Sequence, residues 1–173
     1  MLRAMKAITM LTMLALISPV PADEGNPQID YKGFAELVQK IEPVRYSKRV
    51  NEEEFLKMAA ESNTVILDTR SKAKFDKFHV KGALHLNFSD FNEEALSELI
   101  PDKKTRILIY CNNNFEDAIT AMPMKRPPLA LNIPTYINLQ GYGYEQVYEL
   151  EGYKSVKVSK IPFAGTDVER TAK

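Results

Sequence analysis

A single cysteine, Cys111, stands where an apolar run ends and a polar loop begins. The run is RILIYC at residues 106–111, and three asparagines follow it directly: Asn112, Asn113 and Asn114. A thiol in this position has two interpretations, a nucleophile held in a loop or a small apolar residue that closes a buried strand. As a thiolate it would act as a nucleophile. The residues and elements around it have to distinguish the two.

A few other side chains could take part in chemistry. Asp68 and Arg70 follow a second apolar run, and their spacing favours a structural ion pair that pins the end of a strand. The two histidines, His79 and His85, are far from Cys111 in sequence, and His79 is interpreted as a packed or hydrogen-bonded turn residue. Two histidines and one cysteine in different elements do not predict a zinc site. We therefore expect no metal and no cofactor.

Helix-like and strand-like patterns alternate along the chain and would position these residues. The predicted helices are DYKGFAELVQKIEPVR ended by Pro43, EEEFLKMAAE capped by Asn51, SKAKFDKF, DFNEEALSELI, one from about Asp117, and one around IPTYINLQGYG. The predicted strands are TVILDTR, ALHLNF, TRILIYC and QVYELE. Apolar strands separated by helices predict a mostly parallel sheet covered on both faces. Ligands bind at the carboxyl ends of such strands, which is where Cys111 and the Asp68–Arg70 pair would lie.

The stretch VILDTRSKAKFDKFHVKGALHLNF resembles the rhodanese-homology pattern. The matching residues are Asp68, Arg70, Phe75, His79, Val80, Gly82 and Ala83. RILIYC is similar to the strand that leads into the active-site cysteine of that family, and GYEQVYELEG to its closing helix end and strand. The resemblance covers roughly residues 47 to 153. It implies an α/β, rhodanese-like fold with a central, mostly parallel sheet of about five strands flanked by helices on both faces.

The resemblance further implies a six-residue loop whose backbone N–H groups point at the sulfur, with a helix starting directly after it. The loop would be Cys111, Asn112, Asn113, Asn114, Phe115 and Glu116, with Asp117 as the helix N-cap. Inward amides and a helix N-terminus would lower the pKa of the thiol and stabilise a persulfide anion. On this basis Cys111 is catalytic, and Asp68, Arg70 and His79 are structural support. The remaining loop residues, Asp117 and Lys74 would bind substrate.

The loop departs from the family in its charge. Thiosulfate-using rhodaneses carry Arg or Lys in the loop to hold a doubly charged oxyanion, whereas this loop has Glu116 and no basic residue. Lys74 leaves one cation near the site, so the sequence argues against thiosulfate as the specific substrate. The related Cys-x5-Arg phosphatases are excluded, since the sixth residue after Cys111 is Asp117. A thioredoxin-like dithiol lacks its second cysteine.

Two functions from different classes remain open. The first is a rhodanese-like sulfurtransferase or sulfane-sulfur carrier that forms a persulfide on Cys111, with a small sulfur-containing donor and a thiol or protein acceptor. The second is a non-catalytic binding module that uses the loop and a Pro/Tyr-rich insertion at residues 123–144 for protein contacts. The intact cysteine favours the first, and the missing loop cations favour the second.

The N-terminus is typical of a cleaved secretory signal. Arg3 and Lys6 form a basic head, and an apolar run follows that is shorter than the about 20 residues of a membrane span. Small residues precede a predicted cleavage site after Ala22. The alternative is an uncleaved anchor. We predict a periplasmic or secreted protein with no membrane association after cleavage.

Charge and length limit the function classes. The full chain has 23 basic and 23 acidic residues, so losing Arg3 and Lys6 leaves a net charge of about −2. This balance does not indicate a nucleic-acid partner. The predicted organisation is a signal peptide (1–22), an N-terminal helical extension (23–46), a rhodanese-like domain (47–158) and a C-terminal tail (159–173).

Overall fold

The computed structural model describes residues 26–116 and 122–171. The predicted signal peptide and the predicted helix cap Asp117 lie outside the described residues. The chain divides into two units, Met1–Tyr31 and Lys32–Lys173. In the first unit, the Ile29 N–H donates to the Asn26 carbonyl at 2.9 Å. The elements that position the candidate site belong to the second unit.

Five parallel strands form the main sheet, which confirms the predicted α/β fold. Seven strands are described, of which β3 and β7 form a separate antiparallel pair: β1 (Arg49–Val50), β2 (Thr64–Asp68), β3 (His79–Val80), β4 (Leu84–His85), β5 (Arg106–Ile109), β6 (Val147–Leu150) and β7 (Phe163–Ala164). The order in the main sheet is β1-β6-β5-β2-β4. The central strands β5 and β2 are therefore neighbours, and their carboxyl ends meet at one edge.

Six α-helices are described: α1 (Tyr31–Ser47), α2 (Glu52–Ala59), α3 (Lys72–Lys77), α4 (Glu93–Leu99), α5 (Asn132–Gly141) and α6 (Thr166–Thr171). The predicted cap of α2 is present, since Asn51 Oδ1 accepts from the Glu54 N–H at 2.9 Å. The prediction that Pro43 ends the first helix is wrong, because α1 continues to Ser47. Proline removes one backbone donor there, and an ion pair from Arg45 to Glu149 holds the turn that follows.

The strands separate two hydrophobic layers because their side chains alternate between faces. Ile107 and Ile109 of β5 pack in a layer with buried residues of α1, α4 and α5. Leu108 and Tyr110 point to the other face and pack with Phe55 of α2. Both faces of the central strand are thus buried, as its unbroken apolar sequence predicts.

Two segments differ from their sequence-based description. The predicted strand ALHLNF pairs with β2 only at Leu84 and His85, because the chain then turns into a short 3-10 helix at Phe88–Asp90. The predicted C-terminal tail contains β7, which pairs with β3, and α6. The predicted domain boundaries as a whole stay predictions.

Candidate active site

The carboxyl ends of β2 and β5 are joined by a buried polar cluster. Asp68 and Arg70 form an ion pair, with Arg70 Nη2 2.6 Å from Asp68 Oδ2. The Tyr110 hydroxyl donates to Asp68 Oδ2 and accepts from the Val80 N–H at 3.0 Å. Burial raises the pKa of Tyr110 well above its ordinary value, and the Asp68 charge acts in the same direction. Tyr110 therefore stays neutral and donates.

Arg70 also reaches the loop that follows Cys111. Its Nη1 lies 3.3 Å from Asn112 Oδ1, and its Nη2 donates to the Phe78 carbonyl at 2.6 Å. His79 lies beside this cluster with Nδ1 2.6 Å from the Phe75 carbonyl, and its ring stacks on Phe75 at 3.9 Å between centroids. The predicted support residues are thus close together at the edge of the sheet.

Asn114 fixes the conformation of the loop. Residues Asn112–Asn114 form one turn of 3-10 helix, and the Cys111 N–H donates to Asn114 Oδ1 at 2.9 Å. The side-chain Nδ2 of Asn114 donates to the backbone carbonyls of Leu150 and Gly152, at the end of β6. Asparagine side chains readily bond to nearby backbone in this way. The loop is consequently tied to the end of β6.

The expected ring of inward loop amides is not confirmed. The Asn114 N–H donates to the Cys111 carbonyl, the Phe115 N–H to the Asn112 carbonyl, and the Glu116 N–H to the Lys154 carbonyl. The 3-10 turn consumes the first two of these donors, and the contact beyond β6 consumes the third. Among the loop amides, that of Asn113 contributes a hydrogen bond that favours the thiolate.

The start of α5 provides the other donors to the sulfur. The backbone N–H groups of Asn132 and Leu131 hydrogen-bond to the Cys111 thiol and favour its charged form. Burial outweighs them and raises the pKa of Cys111, and the Glu149 carboxylate raises it further. The expected lowering of this pKa is therefore wrong. The side chain is only 1% exposed, and desolvation penalises a thiolate more than three amides stabilise it.

Sequence reasoning missed a buried polar group behind Cys111. Glu149 of β6 is 6% exposed and accepts from Asn132 Nδ2 at 3.1 Å. Arg45 of α1 donates to the same carboxylate from Nη2, 2.8 Å from Oε1. A signal existed for Glu149, an acidic residue inside an otherwise apolar strand, because buried carboxylates need a partner. Nothing in the sequence identifies Arg45 as that partner.

The predicted substrate-binding residues occupy different surroundings. Asn112 and Asn113 are half-buried and contact the segment at residues 123–125, where their Nδ2 atoms donate to the carbonyls of Pro123 and Lys125. Phe115 is buried in the hydrophobic layer against Phe163. Two further residues were predicted to bind substrate. Glu116 is exposed, and Lys74 is half-buried in α3. Substrate contact by any of these stays a prediction.

The Tyr-rich insertion forms core more than surface. Tyr136 and Tyr144 are fully buried, and the Tyr144 hydroxyl donates to the Ile100 carbonyl at 2.8 Å. Neither ring is available to a partner protein. Exposed apolar side chains in the insertion are Met124 and Leu129.

Within 26–116 and 122–171, no three His, Cys, Asp or Glu side chains come together as a metal site would require. No helix in the same ranges combines the length and apolar character of a membrane span.

Comparison with known proteins points to one family. The sequence profile described as "Rhodanese-like domain" matches residues 51–157. The fold is similar to the solution structure of a rhodanese-like domain from an Anabaena protein, at 22% identity over 73% of this chain and 85% of that chain, with a TM-score of 0.50. No curated protein matches the chain.

Two further solved structures are more distant. A rhodanese with anions from E. coli is 21% identical, covers 60% of this chain and 99% of its own, and has a TM-score of 0.40. A thiosulfate sulfurtransferase from Pseudomonas aeruginosa is 18% identical over 76% of this chain and 23% of its own, with a TM-score of 0.48.

Proposed function

The chain belongs to the rhodanese-like domain family, and from this premise we propose that Cys111 accepts a sulfane sulfur as a persulfide and passes it to a thiol. The observation that carries the proposal is the position of the sulfur. Cys111 follows the central strand β5, and the amides of Asn113, Leu131 and Asn132 hydrogen-bond to it. Such donors stabilise negative charge on sulfur, both in the thiolate that attacks and in the persulfide that forms.

The proposed transfer needs no outside oxidant. The Cys111 thiolate attacks the terminal sulfur of a donor persulfide, a new S–S bond forms, and the donor S–S bond breaks with its electron pair leaving on the donor thiolate. An acceptor thiolate then attacks the outer sulfur and releases the Cys111 thiolate. Each step exchanges one S–S bond for another, so the overall oxidation level is unchanged.

The intact mass of the protein tests this proposal. We expect incubation with a small persulfide, such as glutathione persulfide, to add the mass of one sulfur atom, and an added thiol to remove it. Cys111→Ser should remain unmodified. A wild-type protein that stays unmodified when reduced and fully folded would instead favour the non-catalytic binding module.

We infer further that thiosulfate is a poor donor. The loop from Cys111 to Glu116 has no basic residue, and the Glu149 carboxylate disfavours negative charge at the sulfur. Each missing charge-assisted hydrogen bond would weaken oxyanion binding by about 1.5–3 kcal/mol. A persulfide presents at most one negative charge on its reacting group, against two on thiosulfate, and therefore loses less.

Steady-state assays with both donors examine this inference. Persulfide should be used well and thiosulfate poorly, and Glu116→Arg, at an exposed position, should improve thiosulfate use selectively. Efficient use of thiosulfate by the wild type would contradict it. Attention would then turn to Lys74 and to two exposed cations beside the loop, Lys125, whose backbone bonds to Asn113, and the following Arg126.

A further inference from the structure

Glu149 is a buried carboxylate placed directly behind the reactive cysteine. It pairs in register with Ile109 of β5, two residues before Cys111, and is 6% exposed. The charge of a carboxylate so buried is stabilised by a compensating partner. That partner is Arg45, whose Nη2 lies 2.8 Å from Oε1 and 2.7 Å from Oε2.

A continuous chain of polar contacts leads from Arg45 to the cysteine. Glu149 Oε1, which accepts from Arg45, also accepts from Asn132 Nδ2 at 3.1 Å. Asn132 Nδ2 lies 3.2 Å from Asn114 Oδ1, and the latter accepts from the Cys111 N–H at 2.9 Å. Asn132 is also the first residue of α5 and gives its backbone N–H to the sulfur. Movement of Glu149 would therefore displace groups that touch Cys111.

The surroundings of Glu149 provide incomplete compensation. Tyr136 faces it from α5, and burial raises the pKa of Tyr136 to about 12, so that ring stays neutral. The contact from Arg45 to Oε2 has the distance of an ion pair without the angles of a hydrogen bond. Within the described part of the chain, the buried side-chain atoms that make no hydrogen bond all belong to this cluster: Arg45 Nε, Asn132 Oδ1, Tyr136 OH and Glu149 Oε2.

An acidic and two basic side chains surround the Cys111 thiol, and they differ in how they bear on its ionisation. Glu149 opposes a thiolate at Cys111. On the loop side, the guanidinium of Arg70 contacts Asn112 and is already paired with Asp68. Arg45 is thus the cation that directly contacts the carboxylate behind the sulfur.

We propose that Arg45 is a positioning residue for Cys111: it neutralises and anchors Glu149, and so keeps the start of α5 against the sulfur and allows a thiolate to form there. The inference rests on the proposed role of Cys111 as a nucleophile. Arg45 lies before the family-matched residues 51–157. The reactivity of Cys111 would therefore depend on a helix that lies outside the matched segment.

The rate of Cys111 alkylation by iodoacetamide, measured against pH on the full chain, tests the proposal. Arg45→Gln should move the midpoint of the profile upward by about 0.5–1 pH unit, since an uncompensated like charge disfavours the thiolate. Below the midpoint this means a roughly three- to tenfold slower reaction at fixed pH. Arg45→Lys should retain a large part of the wild-type behaviour.

Two additional variants separate charge from structure. Glu149→Gln keeps an acceptor for Asn132 and removes the charge, so the midpoint should fall below that of the wild type. In the double variant Arg45→Gln/Glu149→Gln, the upward shift should disappear. Arg106→Gln is the matched control, because Arg106 lies at the start of β5, the end away from Cys111, and pairs with the exposed Glu61. Its profile should match that of the wild type.

If Arg45→Gln melts at a lower temperature but keeps the wild-type midpoint, Arg45 is merely structural and the proposal is overturned. An upward shift that persists in the double variant overturns it too. If Arg45→Gln does not fold, Glu149→Gln decides, and an unchanged midpoint there refutes the proposal. Alkylation needs no sulfur donor, so a failure of the proposed sulfur transfer would leave this result readable.

Discussion

Asn114 supports the site through both ends of one amide. Its Oδ1 accepts from the Cys111 N–H and from Asn132 Nδ2, and its Nδ2 donates to the carbonyls of Leu150 and Gly152. Removing a buried side chain with several partners leaves those partners unsatisfied. The loop conformation at Cys111 therefore depends on the Asn114 side chain as well as on the backbone of the 3-10 turn.

We predict that Asn114→Ala lowers the free energy of unfolding by about 2–4 kcal/mol, because each unsatisfied buried group costs about 1–3 kcal/mol. Urea denaturation measures the change. Asn113→Ala is the control, since Asn113 is half-buried and bonds to Lys125 near the surface; it should cost less than about 1 kcal/mol. Equal losses in the two variants would contradict the assigned role of Asn114.

At the scale of single residues, the sequence predicted the position of Cys111 and not its surroundings. An apolar run that ends in a polar loop is a local pattern, and it identified the strand end. The acidic Glu149 depends on Arg45, which lies 104 residues away, and the amides on the sulfur come from α5. Contacts over such separations are created by the fold and leave no local pattern in one sequence.

At the scale of elements, Tyr110 holds three strand ends together. It follows β5, and its hydroxyl bonds to Asp68 at the end of β2 and to the Val80 N–H in β3. Its ring packs in the layer that contains Phe55 of α2. One phenol thus links the main sheet to the small antiparallel pair.

Tyr110→Phe should lower the free energy of unfolding by about 1–3 kcal/mol, since the buried Val80 N–H loses its acceptor. Thermal or urea unfolding reports the loss. Tyr142→Phe is a suitable control, because the hydroxyl of Tyr142 lies 3.5 Å from the Phe91 carbonyl. A hydrogen bond of that length is weak, so its loss should cost little. A Tyr110→Phe protein as stable as this control would show that the link contributes little.

Elements that depend on neighbouring residues were predicted correctly, and elements that depend on residues distant in sequence were not. Asn51 was identified as the cap of α2 because capping depends on residues three apart. The end of α1 was misplaced because tertiary contact to Glu149 holds the turn after Pro43. Pairing with β3 gives structure to Phe163 and Ala164, and that pairing depends on the whole fold.

At the scale of the whole molecule, three buried acids keep their protons in the folded state. The pKa values of Cys111, Tyr110 and Tyr136 are all raised, with burial as the first cause. The unfolded chain releases these protons at about 8.5 for cysteine and 10 for tyrosine. Their contribution to stability is complete below those values and is lost as pH rises through the folded pKa values, which for Tyr136 is about 12.

We therefore expect the urea midpoint to be level near neutral pH and to fall progressively above about pH 8.5. Tyr136→Phe should weaken this fall between pH 10 and 12, the interval over which its pKa is shifted. The same variant should not be destabilised at pH 7, because the buried Tyr136 hydroxyl has no hydrogen bond to lose. A fall that is identical with and without the Tyr136 hydroxyl would contradict the assignment.

The two-residue strand β1 has a consequence for solubility. It covers the outer edge of β6: the Glu149 N–H donates to the Lys48 carbonyl, and the Glu151 N–H to the Val50 carbonyl. A chain shortened to begin at Asn51 would leave the N–H groups of Glu149 and Glu151 unpaired along an apolar strand. Unpaired edge strands of this kind form β-sheet hydrogen bonds with other chains. We expect such a chain to self-associate in size-exclusion chromatography at concentrations where the longer chain is monodisperse. Equal elution behaviour would mean that the edge of β6 needs cover from neither β1 nor α1, which the shortened chain also lacks.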